Sequence, residues 1–153
     1  MNAIATIDRP IKPRHRSTKS LRAGWTARVL LAEDNDEMRT LLAAILRADG
    51  YQVVEAKDGR ELLSGLLAAR ERGRPPTIDL VVSDIRMPAC SGLAVLERLR
   101  EVDWSIPVIL ITAFGSQETH SRARSLGAAL VLDKPFDLEE LRHAVRSVVP
   151  PEI

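Results

Sequence analysis

Between Ala27 and Val148 the chain alternates short apolar runs with longer amphipathic stretches, five times over. Val29-Leu30-Leu31-Ala32, Leu80-Val81-Val82-Ser83, Val108-Ile109-Leu110-Ile111 and Leu130-Val131-Leu132 lack the in–out alternation of a half-buried strand. Runs of this length read as parallel strands covered on both faces. Gln52–Ala56 supplies the remaining strand, second in chain order. The intervening segments read as helices over about 37–48, 60–72, 93–101 and 116–126, with a last one opening at Asp137 as N-cap and ending near Pro150-Pro151. Met38, Leu41, Leu42, Ile45 and Leu46 form the apolar stripe of the first helix, and Gly50 stops it. The last helix carries Leu138, Leu141, Val145 and Val148 inward. Repeated βα units require right-handed crossovers and helices on both faces of one parallel sheet.

Four of these runs end in chemistry. Glu33 and Asp34 follow the first, Asp84 the third, Thr112 closes the fourth, and Lys134 stands just past the fifth. In an open parallel sheet the carboxyl ends of the strands share one edge, where ligands bind. Chain order alone does not name the neighbours. Under a flavodoxin-like order 2-1-3-4-5, strands one and three flank the switch point, and the three acids face each other across it. Packed carboxylates repel and destabilise an unfilled site, and Mg²⁺, which favours a few carboxylates plus water and phosphate oxygens, removes that penalty. Any one acid alone would read as a solvated loop residue; three at strand ends do not. Asp84 is the candidate nucleophile for a phosphoryl group, Lys134 the mobile charge that pairs with it, and Thr112 a hydroxyl donor beside the small Ala113. Pro88 stiffens the loop after Asp84, and Gly92 is expected to give the turn into helix three its freedom.

Composition narrows the setting. The chain has 153 residues, enough for one domain with a core, and its 45% apolar and 28% charged content is that of an ordinary globular protein. With 3% aromatics, Leu, Val, Ile and Ala must build the core. Net charge of +1 does not by itself call for a polyanionic partner; the basic tail leaves an acidic partner or nucleic acid as a lesser alternative, and DNA is not the expected partner. The single cysteine, Cys90, excludes an internal disulfide and argues against a Cys-based metal site. No apolar stretch approaches the roughly 18 residues that span a bilayer, and no secretory h-region opens the chain; a cytoplasmic location is expected. Residues 1–26 carry six Lys and Arg and His15 against Asp8 alone, with Pro10 and Pro13, and read as a basic disordered tail. Residues 27–150 form the domain, and 151–153 a short C-terminal tail.

The motifs LLAEDN (30–35), SDIRMPACSGL (83–93), ILITAFGS (109–116) and LDKPF (132–136), supported by EAKDGRE (55–61) and SLGA (125–128), resemble a two-component response-regulator receiver domain over about residues 27–150. The resemblance implies a flavodoxin-like doubly wound (βα)5 fold with a five-stranded parallel sheet of order 2-1-3-4-5. It implies that Asp34 and Asp84 ligate Mg²⁺ directly, Glu33 through water, and the backbone carbonyl of Arg86 completes the set. Asp84 would accept the phosphoryl group, Thr112 would be the switch hydroxyl and Lys134 the phosphate-binding lysine. The donor would be a histidine kinase or histidine-phosphotransfer protein. A downstream target would meet the face made by helix four, strand five and helix five, where Arg122, Arg124, Arg142 and Arg146 are expected. Such a domain catalyses only its own phosphorylation and dephosphorylation, and with nothing after helix five it would act alone.

Two departures bear on mechanism. Receivers usually carry Tyr or Phe three residues before the lysine, and that position is Val131. Phe114 is either a substitute responder or a cover for the pocket rim. Other readings of the constellation fare worse. A haloacid-dehalogenase-like hydrolase needs a second acid two residues after the nucleophile, where Arg86 stands. A phosphorylation-independent adaptor would be favoured by an incomplete site, and this one has every part.

Overall fold

The computed structural model describes residues 26–72, 77–102, 104–113 and 115–152. Along them run β1 (Arg28–Ala32), α1 (Asp36–Ala48), β2 (Gln52–Ala56), α2 (Gly59–Arg72), β3 (Leu80–Asp84), α3 (Gly92–Glu101), β4 (Val108–Thr112), α4 (Gln117–Ser125), β5 (Leu130–Asp133) and α5 (Leu138–Val148). All neighbouring strands pair in parallel, in the order β2-β1-β3-β4-β5. This is the flavodoxin-like sheet that the motifs imply.

Side chains alternate faces along each strand, so the sheet has two cores. Val29, Leu31, Leu80, Val82, Ile109 and Ile111 meet Leu42 and Leu46 of α1 and Leu141 and Val145 of α5. Leu30, Val81 and Leu110 meet Leu62 and Leu66 of α2 and Leu96 and Leu99 of α3 on the other face. These side chains are all but sealed from solvent. Truncating Leu30 or Ile109 to Ala would cost about 2–5 kcal/mol, through lost transfer energy and the cavity left behind. Two members of the expected stripes are not inside: Leu41 is 45% exposed and Leu138 36%. Helices of this length bury only about a third of their circumference, and both residues lie at the edge of that arc.

The caps follow the sequence. Asn35, Ser91, Ser116 and Asp137 each accept a hydrogen bond from a backbone N–H in the first turn of α1, α3, α4 and α5. Asp137 and Glu140 complete a reciprocal capping box. Gly50 ends α1 at φ +103°, a left-handed conformation natural to glycine. Gly92 is required for a different reason than expected. It is the first residue of α3, and a Cβ there would stand 2.6 Å from the Asp84 carbonyl oxygen, so close approach rather than turn freedom excludes a side chain. The left-handed turn falls instead on Ala89, at φ +73°.

The far edge of the sheet is fastened by polar contacts. The Tyr51 hydroxyl donates to Val149 O at 2.6 Å, and Arg142 grips Asp49, the C-cap of α1, through two hydrogen bonds of 2.9 and 2.6 Å. Burial pushes the Tyr51 hydroxyl up to about 12, so it remains a donor at any ordinary pH. Ala27 N donates to Pro151 O, and Thr26 bridges Glu152. Trp104 is half-buried against the α2–α3 core with the Arg70 guanidinium 5.9 Å from its ring centre. Trp25, Phe114, most of the basic N-terminal segment and the Pro75-Pro76 connection lie outside the described residues.

Candidate functional site

The sheet order delivers the strand-end residues to one place. β1 and β3 are adjacent, with Ala32 opposite Ser83, so Glu33-Asp34 and Asp84 leave neighbouring strands at the same level. β4 lies on the other side of β3 with Ile111 opposite Asp84, which sets Thr112 one step beyond it. Thr112 pairs in register with Asp133, and its carbonyl accepts the Lys134 N–H at 2.7 Å. One carboxylate oxygen from each of Glu33, Asp34 and Asp84 lies within 4.8 Å of the others. Lys134 Nζ sits 2.8 Å from Asp84 Oδ2 and 3.5 Å from Glu33 Oε1. Glu33, Asp84 and Thr112 are buried, whereas Asp34 is exposed.

Each acid is held differently. Glu33 Oε2 accepts the Asn35 N–H at 3.0 Å, while its buried Oε1 has no hydrogen-bond partner. Burial pushes the Glu33 carboxyl up; the Asn35 N–H opposes this, the Asp84 charge adds to it, and Lys134 draws it back in part. Asp84 Oδ1 accepts the Arg86 N–H at 3.1 Å, which directs the carboxylate along the loop that follows β3. Burial alone would lower the Lys134 ammonium, but Asp84 and then Glu33 more than offset that and raise it. The loop folds back tightly: Ser83 Oγ donates to Asp84 O, Ile85 N to Ile111 O, and Gly92 N to Ile85 O. Between this loop and Asp34 runs an open groove of about 530 Å³, lined by Asp34, Ile85, Arg86, Met87, Pro88 and Ser91.

A buried carboxylate oxygen with no hydrogen bond and only the Lys134 ammonium at 3.5 Å, beside two more carboxylates, is an arrangement a hard divalent cation relieves. The residues present therefore fit Mg²⁺. The expected site residues Glu33, Asp34, Asp84 and Lys134 meet directly, with Thr112 on the adjoining strand. Arg86 stands at the groove, its N–H committed to Asp84. Val131, where receivers carry an aromatic, is a half-buried residue of the exposed edge strand, packed toward the α2–α3 side of the sheet.

The description of the response regulator receiver domain family matches residues 29–146. The chain belongs to this family. It is 32% identical to sporulation initiation phosphotransferase F of Bacillus subtilis over 123 residues, covering 80% of this chain and 94% of that protein. It is 36% identical to the transcriptional regulatory protein ZraR of Escherichia coli, covering 74% of this chain but only 24% of that one. Among solved structures it resembles a Francisella response-regulator receiver domain (TM-score 0.71, 28% identity, 80% and 95% of the two chains). It also resembles the chemotaxis protein CheY4 of Vibrio cholerae (TM-score 0.69, 27% identity, 82% and 100%). Receiver domains generally bind Mg²⁺ at an acidic cluster and work with histidine kinases and downstream targets. Among the described residues no helix is long and apolar enough to cross a membrane.

The receiver has features that strand-end reasoning misses. Helix α4 buries only Ala123 and is otherwise polar. It is held by Arg122 to Glu97 of α3 at 3.3 Å, by His120 Nε2 to Asp133 Oδ1 at 2.9 Å, and by Arg100, whose guanidinium donates to Leu126 O and Gly127 O just after the helix. Gly115 lies against that His–Asp pair: a Cβ there would stand 2.6 Å from His120 Nε2 and 2.8 Å from the Thr112 methyl, and would overlap Asp133 Oδ1. His120 is thus a half-buried partner of Asp133 rather than a free surface residue. Of the four arginines expected on this face, Arg122 and Arg142 are engaged by Glu97 and Asp49. Arg39, absent from the sequence-level site, donates to the Glu33 carbonyl oxygen at 2.9 Å. Its signal in the sequence is a cation in the first turns of a helix, where the dipole disfavours it.

Proposed function

We propose that this receiver takes a phosphoryl group from a phosphohistidine donor, a histidine kinase or histidine-phosphotransfer protein, onto Asp84. It then either presents an altered surface to a protein target or passes the group on. The carrying observation is the convergence of three carboxylates within 4.8 Å, with Lys134 Nζ 2.8 Å from Asp84. An Asp84 carboxylate oxygen attacks phosphorus in line, the donor's P–N bond breaks, and the imidazole leaves to take up a proton. Attack by water later breaks the new O–P bond, releases inorganic phosphate and restores the carboxylate. Mg²⁺, held by Asp34, Asp84, the Arg86 carbonyl and Glu33 through water, would neutralise the oxygens around phosphorus.

Lys134 leaves its contact with the Asp84 carboxylate to pair with the incoming charge of roughly −1.5 to −2. The Thr112 hydroxyl donates to a phosphoryl oxygen. Both groups interact more strongly with the charged state, and that difference is what biases a two-state surface. Relay of the phosphoryl group draws support from the likeness to a protein named a phosphotransferase. The face formed by α4, β5 and α5 is the proposed contact for a target.

The test is incubation with a small acyl-phosphate donor, with and without Mg²⁺, read by intact mass. One added phosphoryl group that needs Mg²⁺ and disappears in Asp84→Asn is the expected result. Turnover of many donor equivalents without a phosphorylated protein would indicate a hydrolase. No phosphorylation under any condition would leave an adaptor that uses the fold alone.

A further inference from the structure

We propose that Arg39 is the positioning residue of the acidic loop, setting the Mg²⁺ affinity of the site without touching the ion; this rests on the metal-dependent reading above. The loop from Glu33 to Asn35 must present two acids in one direction from a chain that is turning out of a strand into a helix. Two of its side-chain contacts are local: Glu33 holds the Asn35 N–H, and Asn35 caps Met38, while the Glu33 carboxylate also faces the Lys134 ammonium at 3.5 Å. The local contacts fix the loop's shape and Lys134 reaches only the Glu33 carboxylate, so none of these side chains holds the loop backbone itself to the rest of the protein.

Arg39 supplies that tie. Its Nη1 donates to Glu33 O at 2.9 Å, its Nη2 to Asp36 Oδ1 at 2.8 Å, and its Nε to Glu55 Oε1 at 3.2 Å. One planar guanidinium thereby joins the loop backbone, the first residue of α1 and the edge strand β2. The side chain is only 15% exposed, so the fork is sheltered along its length. Glu55 is itself steadied by Arg47 at 3.1 Å. The Glu33 N–H donates to Ala56 O at 3.1 Å, so the same peptide region is anchored to β2 from both sides. Holding the Glu33 carbonyl fixes where the chain enters Asp34, the exposed member of the acid cluster. A lysine has no planar fork and cannot reach all three acceptors at once. Groups behind metal ligands typically tune affinity about 10–100-fold when removed.

The test is calorimetric Mg²⁺ titration of the full chain as wild type, Arg39→Ala, Arg39→Lys and Glu55→Gln, alongside thermal melting of each. Arg39→Ala is expected to weaken Mg²⁺ about tenfold, Arg39→Lys to recover part of that, and Glu55→Gln to lose about 2–3-fold by loosening the fork. In the phosphorylation assay the half-saturating Mg²⁺ concentration should rise by the same factor, with the rate at saturating Mg²⁺ within about twofold of wild type. A lowered melting temperature with unchanged Mg²⁺ affinity in both Arg39→Lys and Glu55→Gln would reduce Arg39 to a helix-anchoring ion pair and overturn the proposal. Wild type that binds no Mg²⁺ would overturn the functional reading and this proposal together, which the first titration alone distinguishes.

Discussion

Lys134 Nζ stands 2.8 Å from Asp84 Oδ2 across a separation of 50 residues, bringing the end of β5 over the end of β3 with β4 between them. The ammonium is the counter-charge that permits Asp84 to be buried. Replacing Lys134 by Ala removes a charge-assisted hydrogen bond worth about 1.5–3 kcal/mol. If the same group pairs with the phosphoryl oxygens, Lys134→Ala should slow phosphorylation from a small donor about 10–100-fold. Mass-resolved time courses at saturating Mg²⁺ check this; a rate within twofold of wild type would remove Lys134 from the reaction.

Mg²⁺ should stabilise the protein, and more so at neutral than at acid pH. Glu33 is held above its ordinary value of 4.5, chiefly by burial and further by Asp84. Between that value and the raised folded one, the folded state binds more protons than the unfolded chain, so stability falls as pH rises through the window. A cation removes that penalty, whereas protonation at low pH has already done so. At ten times its dissociation constant Mg²⁺ should add about 1.4 kcal/mol, or about 4 °C in melting temperature, near neutrality. The shift should shrink as pH falls toward the ordinary Glu33 value of 4.5. Glu33→Gln should melt higher than wild type without metal at neutral pH and respond less to Mg²⁺. Scanning calorimetry across pH decides both points.

Gly59, at the start of α2, is packed against the loop that carries Arg86, and a Cβ there would fall inside the Cys90 carbonyl. Backbone cannot step aside as a flexible side chain can, so Gly59→Ala should cost about 1–3 kcal/mol in urea unfolding. Because that loop begins at Asp84, the substitution should also slow phosphorylation; full stability with full activity would show that the contact is readily relieved.

Ala89 carries the opposite strain. Its φ of +73° costs a non-glycine residue about 1–2 kcal/mol, of which glycine would return about half after its own entropy loss. Ala89→Gly should raise the melting temperature by about 2 °C.

Helix α4 is expected to open more readily than the other helices, because Ala123 alone is buried while polar contacts hold the rest. Asp133→Asn, which removes the charge facing His120, should speed amide exchange over Gln117–Ser125 roughly 3–10-fold. Exchange in α5, fixed by Arg142 to Asp49, should be unchanged.

The strands, the Asp137 cap of the last helix and five strand-end residues were legible in the chain because they depend on local pattern. Apolar run length, a capping residue and the residue that follows a run are all properties of a few consecutive positions. They named Glu33, Asp34, Asp84, Thr112 and Lys134 before any neighbour was known. Sheet order was not local: that β1 and β4 flank β3 became an expectation only through likeness to a family, and the coordinates decide it. The same holds for Arg39 reaching Glu55 of β2, for Gly59 under Cys90, and for Gly115 against Asp133. Each is a contact between segments whose separation in space is set by which strands lie side by side and how closely helices approach them. Periodicity specifies which face a residue takes, while packing specifies what it meets there.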